Sequence, residues 1–282
     1  DLPAELILGY HLIFYPDWLD FYRDDRAALK QKFGSLEAVA SFYGGLGPDT
    51  LLEQYRADLR RAVNLGARYV VFHVSDVSLE EGYTYRWLHT NQEVIDAAVE
   101  VVNLILGEER WPFEFLVENQ WWPGFTFTEP EETARLLEGI RFAGKGILLD
   151  TGHLMNACTE LKTEAEGADY IRSMLNRHGS LAKWVRGVHL HQSLSGAYVK
   201  AHTGSLPAGL PEDYMERFGV SYQHILQIDQ HRPWTDPAIL PVLEQIEPRY
   251  LTHELSSRGR MARAEAVSIQ TRLLRQGGRM RV

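Results

Sequence analysis

The feature that most constrains this chain is a rhythm. Short apolar runs that read as strands alternate with amphipathic stretches that read as helices along the whole length. The runs are residues 7–10, 69–72, 113–117, 146–149, 185–190, 225–228 and 249–252, with a weaker one at 38–42. Helical patterns occupy 48–65, 91–106, 130–140, 166–177, 237–246 and 261–275. Thr128 stands three residues before Glu131 as in a capping box, and Asp236 precedes Pro237 as a cap before proline at the first helical position. Gly66 and Gly107 stand where helices should stop. Strands that are apolar throughout and separated by helices indicate a parallel sheet covered on both faces. Seven runs and the weaker one make eight, so the expected fold is α/β, a single (β/α)8 TIM barrel over residues 1–282. A doubly wound open sheet is the rival, but no glycine-rich dinucleotide or phosphate loop follows any run. The rhythm breaks once, at 193–222, a stretch rich in Gly, Pro and Ser that is expected to form a long binding loop after the sixth strand.

Composition narrows the class rather than the function. The formal net charge is −9, a field that repels nucleic-acid backbones, and nucleic acid is not the expected partner. No apolar run approaches the roughly 20 residues that cross a bilayer. The first residues, Asp1-Leu2-Pro3-Ala4-Glu5, show neither a basic nor an apolar signal segment. The single cysteine, Cys158, permits no internal disulfide, so a cytoplasmic location is expected. Arg275, Arg279 and Arg281 make a mildly basic end that reads as solvated. Oligomeric state stays open, a homo-oligomer included.

Ionisable residues gather where the strands end. Moving along the chain, the runs finish in His73, in Glu118-Asn119, in Asp150-Thr151-Gly152-His153, in His189-Leu190-His191, in Asp229-Gln230-His231 and in His253-Glu254. In a barrel, those ends converge on one face, where active sites are built. Any one of them alone reads more readily as a satisfied loop residue than as a ligand. Six together would repel or desolvate one another unless a cation sat among them. Mixed Glu, Asp and His donors suit Zn, Mn, Co or Mg, and one to two ions per chain are expected. Period-two geometry puts His189 and His191 on one face and sets adjacent His253 and Glu254 on opposite faces. Glu254 is the better ligand, leaving His253 structural. His11 and Asp76 read more readily as loop polarity than as ligands. Trp121 and Trp122, directly after Glu118, fit rim packing or stacking on a sugar ring equally well.

Over residues 69–256 the chain resembles the xylose isomerase-like TIM-barrel superfamily, and within it endonuclease IV. The resemblance rests on Phe72-His73, Val117-Glu118-Asn119, Leu149-Asp150-Thr151-Gly152-His153, Arg186-Gly187-Val188-His189-Leu190, Asp229-Gln230-His231 and Glu254. Leu161-Lys162-Thr163 adds to it. It implies that Glu118, Asp150, His189 and Glu254 form the metal site common to the superfamily. It also implies that His153, Asp229 and His231 hold an additional zinc of the endonucleases, and that His73 with Glu118 forms part of a third site. The endonucleases place another histidine after strand two; residues 40–45 here contain none, so a trinuclear centre would lack a ligand. In the sugar epimerases the second His of His-x-His holds the metal, which leaves His189 and His191 as alternatives.

Two chemistries follow from that resemblance. The first is a sugar or sugar-phosphate isomerase or epimerase working through an enediolate. Glu118 and Glu254 would move the proton between substrate faces, and His153 would bond a hydroxyl. Tyr10, Trp121, Trp122, Trp234 and His191 would then contact a small carbohydrate. A lyase is a close variant. The second is a zinc phosphodiesterase acting on abasic DNA. The loop at 75–84 opposes it, with Asp76, Glu80 and Glu81 and no Lys or Arg.

Overall fold

The computed structural model describes residues 6–278, so the expectations for the first five residues and for Arg279 and Arg281 lie outside the described residues. Six strands form one parallel sheet in sequence order: β1 (Gly9–His11), β2 (Tyr69–His73), β3 (Glu114–Glu118), β4 (Lys145–Asp150), β5 (Val185–Leu190) and β6 (Tyr250–His253). The helices before β2 are α1 (Leu19–Tyr22), α2 (Arg26–Phe33), α3 (Leu36–Tyr43) and α4 (Pro48–Asn64). Between β2 and β5 lie α5 (Leu79–Thr84), α6 (Asn91–Leu106), α7 (Pro130–Gly139), α8 (Thr151–Asn156) and α9 (Glu164–His178). After β5 come α10 (Gly196–His202), α11 (Tyr214–Ile228), α12 (Ile239–Ile246) and α13 (Arg260–Gln276). Among the described residues no helix is long and apolar enough to cross a membrane.

The sheet curls. Tyr69 of β2 and Tyr250 of β6 are not in neighbouring strands, yet their rings lie 4.4 Å apart and the Tyr69 hydroxyl meets Thr252 Oγ1 at 3.1 Å. Tyr69, Val71, Leu116, Leu148 and Tyr250 form a small apolar plug on the concave face. The opposite side chains of the same strands, such as Val70, Phe72, Val117, Leu149 and Val188, join the larger core under the helices. Because alternate residues share a face, the plug fixes what stands above it. Two steps beyond Val71, Leu116 and Leu148 come His73, Glu118 and Asp150. In the ladder, His73 pairs with Glu118 and Asp150 with His189.

Two of the eight expected strands are helices. The run at 38–42 lies inside α3, where Ser35 caps the Ala38 N–H at 3.1 Å and buried Val39 and Tyr43 are one helical turn apart. β1 pairs directly with β2, so no strand stands between them. The run at 225–228 is the last turn of α11, capped by Asp213, whose apolar positions at Tyr214, Phe218, Ile225 and Ile228 follow helical spacing. A four-residue apolar run is compatible with either period, and here the longer pattern prevailed. Part of the expected loop at 193–222 is folded, into α10 and the first half of α11, while 203–213 between them carries neither helix nor strand.

Candidate metal centre

The D-T-G-H segment shows how local chemistry builds the floor of the site. Asp150 ends β4 and caps α8, its Oδ1 accepting the His153 N–H at 2.6 Å, and this turn swings His153 back over the sheet. Thr151 donates to the His191 carbonyl at 2.6 Å, tying α8 to the end of β5. Gly152 leaves room for a ring: a Cβ there would lie 2.0 Å from Cε1 of His191. Asn119 clamps β3 to β4, accepting from the Asp150 N–H at 2.8 Å and donating to its carbonyl at 3.1 Å.

Ten side chains meet above the plug as three donor groups. Within each group the candidate donor atoms lie inside 4.8 Å of one another. The first is Glu118, Asp150, His189 and Glu254; the second is His11, His73 and Glu118; the third is His153, His191, Asp229 and His231. Glu118 belongs to two groups and is fully buried. Its Oε1 faces His189 Nδ1 at 3.1 Å, while its Oε2 faces His73 Nε2 at 2.9 Å and His11 Nε2 at 3.1 Å. Glu254 Oε2 comes within 2.5 Å of His189 Nδ1. His191 Nε2 lies 2.9 Å from Asp150, and its ring stacks on His231 at 4.1 Å. His153 Nε2 reaches Asp229 at 3.3 Å.

Opposite charges hold the cluster together. Burial alone would push the Glu118 carboxyl up, but His73 and His189 outweigh it and hold it well below the carboxylate range. Burial would lower His153 and His189; facing Asp150 and Asp229 in one case and Glu118 and Glu254 in the other, both imidazoles rise well above their ordinary value. His231 is desolvated too, yet the hydrogen bond to Glu254 and the charge of Asp229 bring it to about 9. Protons on imidazoles thus stand where cations would. Several donor atoms are buried without any partner: His73 Nδ1, His191 Nδ1 and Asp229 Oδ1. Unspent buried donors of carboxylate and imidazole type fit divalent ions, and ions would displace the protons.

The structure therefore brings together Glu118, Asp150, His189, Glu254, His73, His153, Asp229 and His231, and adds two residues. His191, expected at a substrate, is fully buried in the third donor group. His189, the alternative, stands in the first donor group instead. His11, read as loop polarity, completes the group that lacked a histidine after the second expected strand. It points inward, one residue on from outward-facing Tyr10, with Nε2 3.1 Å from Glu118. Tyr10 itself turns toward α4 and donates to Asp58 at 3.1 Å, away from the site. Trp234 is also elsewhere, in the core, donating to the His191 carbonyl at 2.8 Å. Asp76 holds the Trp18 and Leu19 N–H groups, at 2.7 and 2.8 Å. His253 packs against Gln270, with 2.7 Å between Nδ1 and Nε2.

A cavity of about 390 Å³ opens onto the donor groups. His73, His153, Asp229, His231 and Glu254 form its floor, and Trp121 and Trp122 line its side. Those indoles are packed 4.2 Å apart, and Trp121 lies 5.2 Å from the His153 ring. The far wall belongs to α11 and α5, elements that sequence reasoning left as strand and loop. No Lys or Arg lines the cavity.

Curled parallel sheet and clustered donors together define an α/β protein carrying three adjoining groups of potential metal ligands. The chain belongs to the xylose isomerase-like TIM barrel family, which matches residues 4–249. None of the curated proteins matches the chain. Among solved structures it is similar to a D-tagatose 3-epimerase-like protein, with 16% identity over 98% of this chain and 82% of that one, at a TM-score of 0.52. Mannonate dehydratase from Streptococcus suis gives 13% identity, 96% and 93% coverage and a TM-score of 0.49. Endonuclease IV from Thermus thermophilus gives 17% identity, 96% and 99% coverage and a TM-score of 0.43. At these identities the likeness describes the fold.

Proposed function

We propose that the chain is a metal-dependent hydrolase of small phosphoesters, with up to three divalent ions in the three donor groups. The observation that carries this reading is the sharing of Glu118. Both of its oxygens are taken up by imidazoles of different groups, the arrangement of a carboxylate between two ions rather than of a free base. Three divalent charges would outweigh the four carboxylates, Glu118, Asp150, Asp229 and Glu254, and leave a floor that attracts an anion. When bound, such ions polarise a phosphoryl oxygen and make nearby water more acidic.

The chain's own residues supply the rest. Glu118, His189 and Asp150 are buried and held by one another, so they set positions rather than exchange protons with solvent. Glu254, whose side chain is 29% exposed and which lines the cavity, is the carboxylate placed to take a proton from water or pass one to a leaving group. Trp121 packs beside His153, ring centroids 5.2 Å apart, with Trp122 behind it. Duplex DNA does not suit the site, because the cavity lining offers no Lys or Arg to a flanking phosphate.

A second reading, sugar isomerisation or epimerisation, has one observation in its favour. Glu118 and Glu254 both approach Nδ1 of His189, at 3.1 and 2.5 Å, and so flank one point as paired proton-transfer groups must. Metal analysis and turnover separate the two. Two or more tightly held ions per chain, with release of nitrophenol from nitrophenyl phosphate or bis(nitrophenyl) phosphate, is the expected result. Glu254→Gln should lower that rate by about 10²–10⁴-fold. A single exchangeable ion, with solvent deuterium entering ketoses and no phosphoester cleaved, would establish the second reading instead.

A further inference from the structure

We infer that the substrate is a two-part molecule, a compact metal-binding head joined to an apolar, preferably flat body, and not a polyol. The inference deepens the proposed function in that it takes the donor groups as the place where the head is held. It stands on the division of the cavity. All of the ionisable donors lie on the floor, whereas the wall facing them is built from Phe14, Leu79, Tyr83, Trp122, Phe218 and Ile225.

The imidazole on that wall is spent. His224 accepts from Tyr198 Oη at Nδ1, 3.0 Å away, and its Nε2–H donates to the Gly82 carbonyl at 3.2 Å. Its ring lies flat on Tyr83, centroids 4.3 Å apart, so it offers neither nitrogen to a ligand. Buried Ser221 Oγ and Trp122 Nε1 have no partner. A hexose carries a hydroxyl on almost every carbon, and in this cavity most of those beyond the floor would face carbon atoms. An aryl or alkyl body loses nothing there and gains contact with aromatic faces. Phe14 extends the wall down to the floor, its ring edge-on to His73 at 4.2 Å, so apolar contact begins next to the donors.

Because hydroxamates chelate divalent ions whatever reaction an enzyme performs, they test the body without assuming the chemistry. Benzohydroxamate and acetohydroxamate are titrated into zinc-loaded protein by calorimetry, alongside phenylphosphonate and methylphosphonate. The expected result is at least tenfold tighter binding of benzohydroxamate. Phe218→Ala should shrink that ratio at least threefold while metal content and acetohydroxamate affinity stay unchanged. If Phe218→Ala does not fold, Ile225→Ala takes its place on the same wall. Equal affinity for the two hydroxamates, or no binding of either, would overturn the inference. Selectivity among hydroxamates with no phosphonate bound would sink the phosphoester reading and leave this one standing.

Discussion

Lys32 reaches from α2 into a buried group of acids, and its removal should be among the costlier single changes in the chain. Its ammonium lies 2.6 Å from Asp17 Oδ1 and 2.7 Å from Asp20 Oδ2, with side-chain exposures of 10% for Lys32, 3% for Asp17 and 8% for Asp20. At an effective dielectric of about 20, each contact carries about 6 kcal/mol of gross attraction. Desolvation offsets most of that. Deleting one partner of such a pair nevertheless costs about 3–5 kcal/mol, because the remaining charges stay buried. In Lys32→Met the apolar stem is kept, and Asp17, Asp20 and Asp76 are left with His89, whose Nε2 is 3.2 Å from Asp20. The cost should depend on pH. Burial already raises Asp17 to about 7 against the pull of Lys32, and without that pull it rises further. A carboxyl raised above its unfolded value binds its proton in the native state first, so acid favours the folded variant. Urea unfolding of the metal-free chain is therefore expected to show a loss of about 3–5 kcal/mol at pH 7 and a smaller one at pH 5.5. A loss under about 1 kcal/mol at pH 7, or one that does not shrink at pH 5.5, would refute the reasoning.

Three other outcomes are expected. His11→Ala should remove about one metal equivalent per chain on elemental analysis while leaving the far-ultraviolet spectrum unchanged, and full metal content would exclude His11 as a donor. Gly124→Ala should destabilise by about 2–4 kcal/mol in thermal or urea unfolding, since Gly124 has φ +129° and a Cβ would lie 2.2 Å from the Val74 carbonyl oxygen. His178 is lowered by burial, Phe127 lying 3.9 Å from its ring. A histidine lowered on folding stabilises above its unfolded value near 6.5 and loses that contribution as pH falls. His178→Gln should flatten the fall in stability between pH 7 and pH 5; equal slopes for both proteins would count against it.

The sheet and most of the donor groups were legible in the sequence because the ionisable residues stand where the apolar runs end. Which face is inner was not legible, since the strands are apolar on both sides, with Val71, Leu116 and Leu148 turned inward and Val70, Val117 and Leu149 outward. His11 was harder to read because β1 is only three residues long, too short to show its period. Trp234 misled for a different reason: an aromatic close to His231 reads as a substrate contact, but its indole N–H is committed to the His191 carbonyl, which only the fold reveals. The cavity wall was hidden because residues 225–228 carry β-like apolar character, while the helix they end is held by tertiary contacts. Tyr214 stacks on Phe33 at 3.9 Å, and Arg217 donates to the Lys32 carbonyl at 2.9 Å.

That helix has a consequence for how such a protein can change. Where the sequence led one to expect a barrel stave, α11 stands as a wall pinned by side chains and free of ladder hydrogen bonds to the sheet. Substitutions along it can reshape the ligand chamber without disturbing strand register or the positions of the donors beneath. Selection can then redraw the shape of the chamber while the carboxylate and imidazole cluster below is inherited intact.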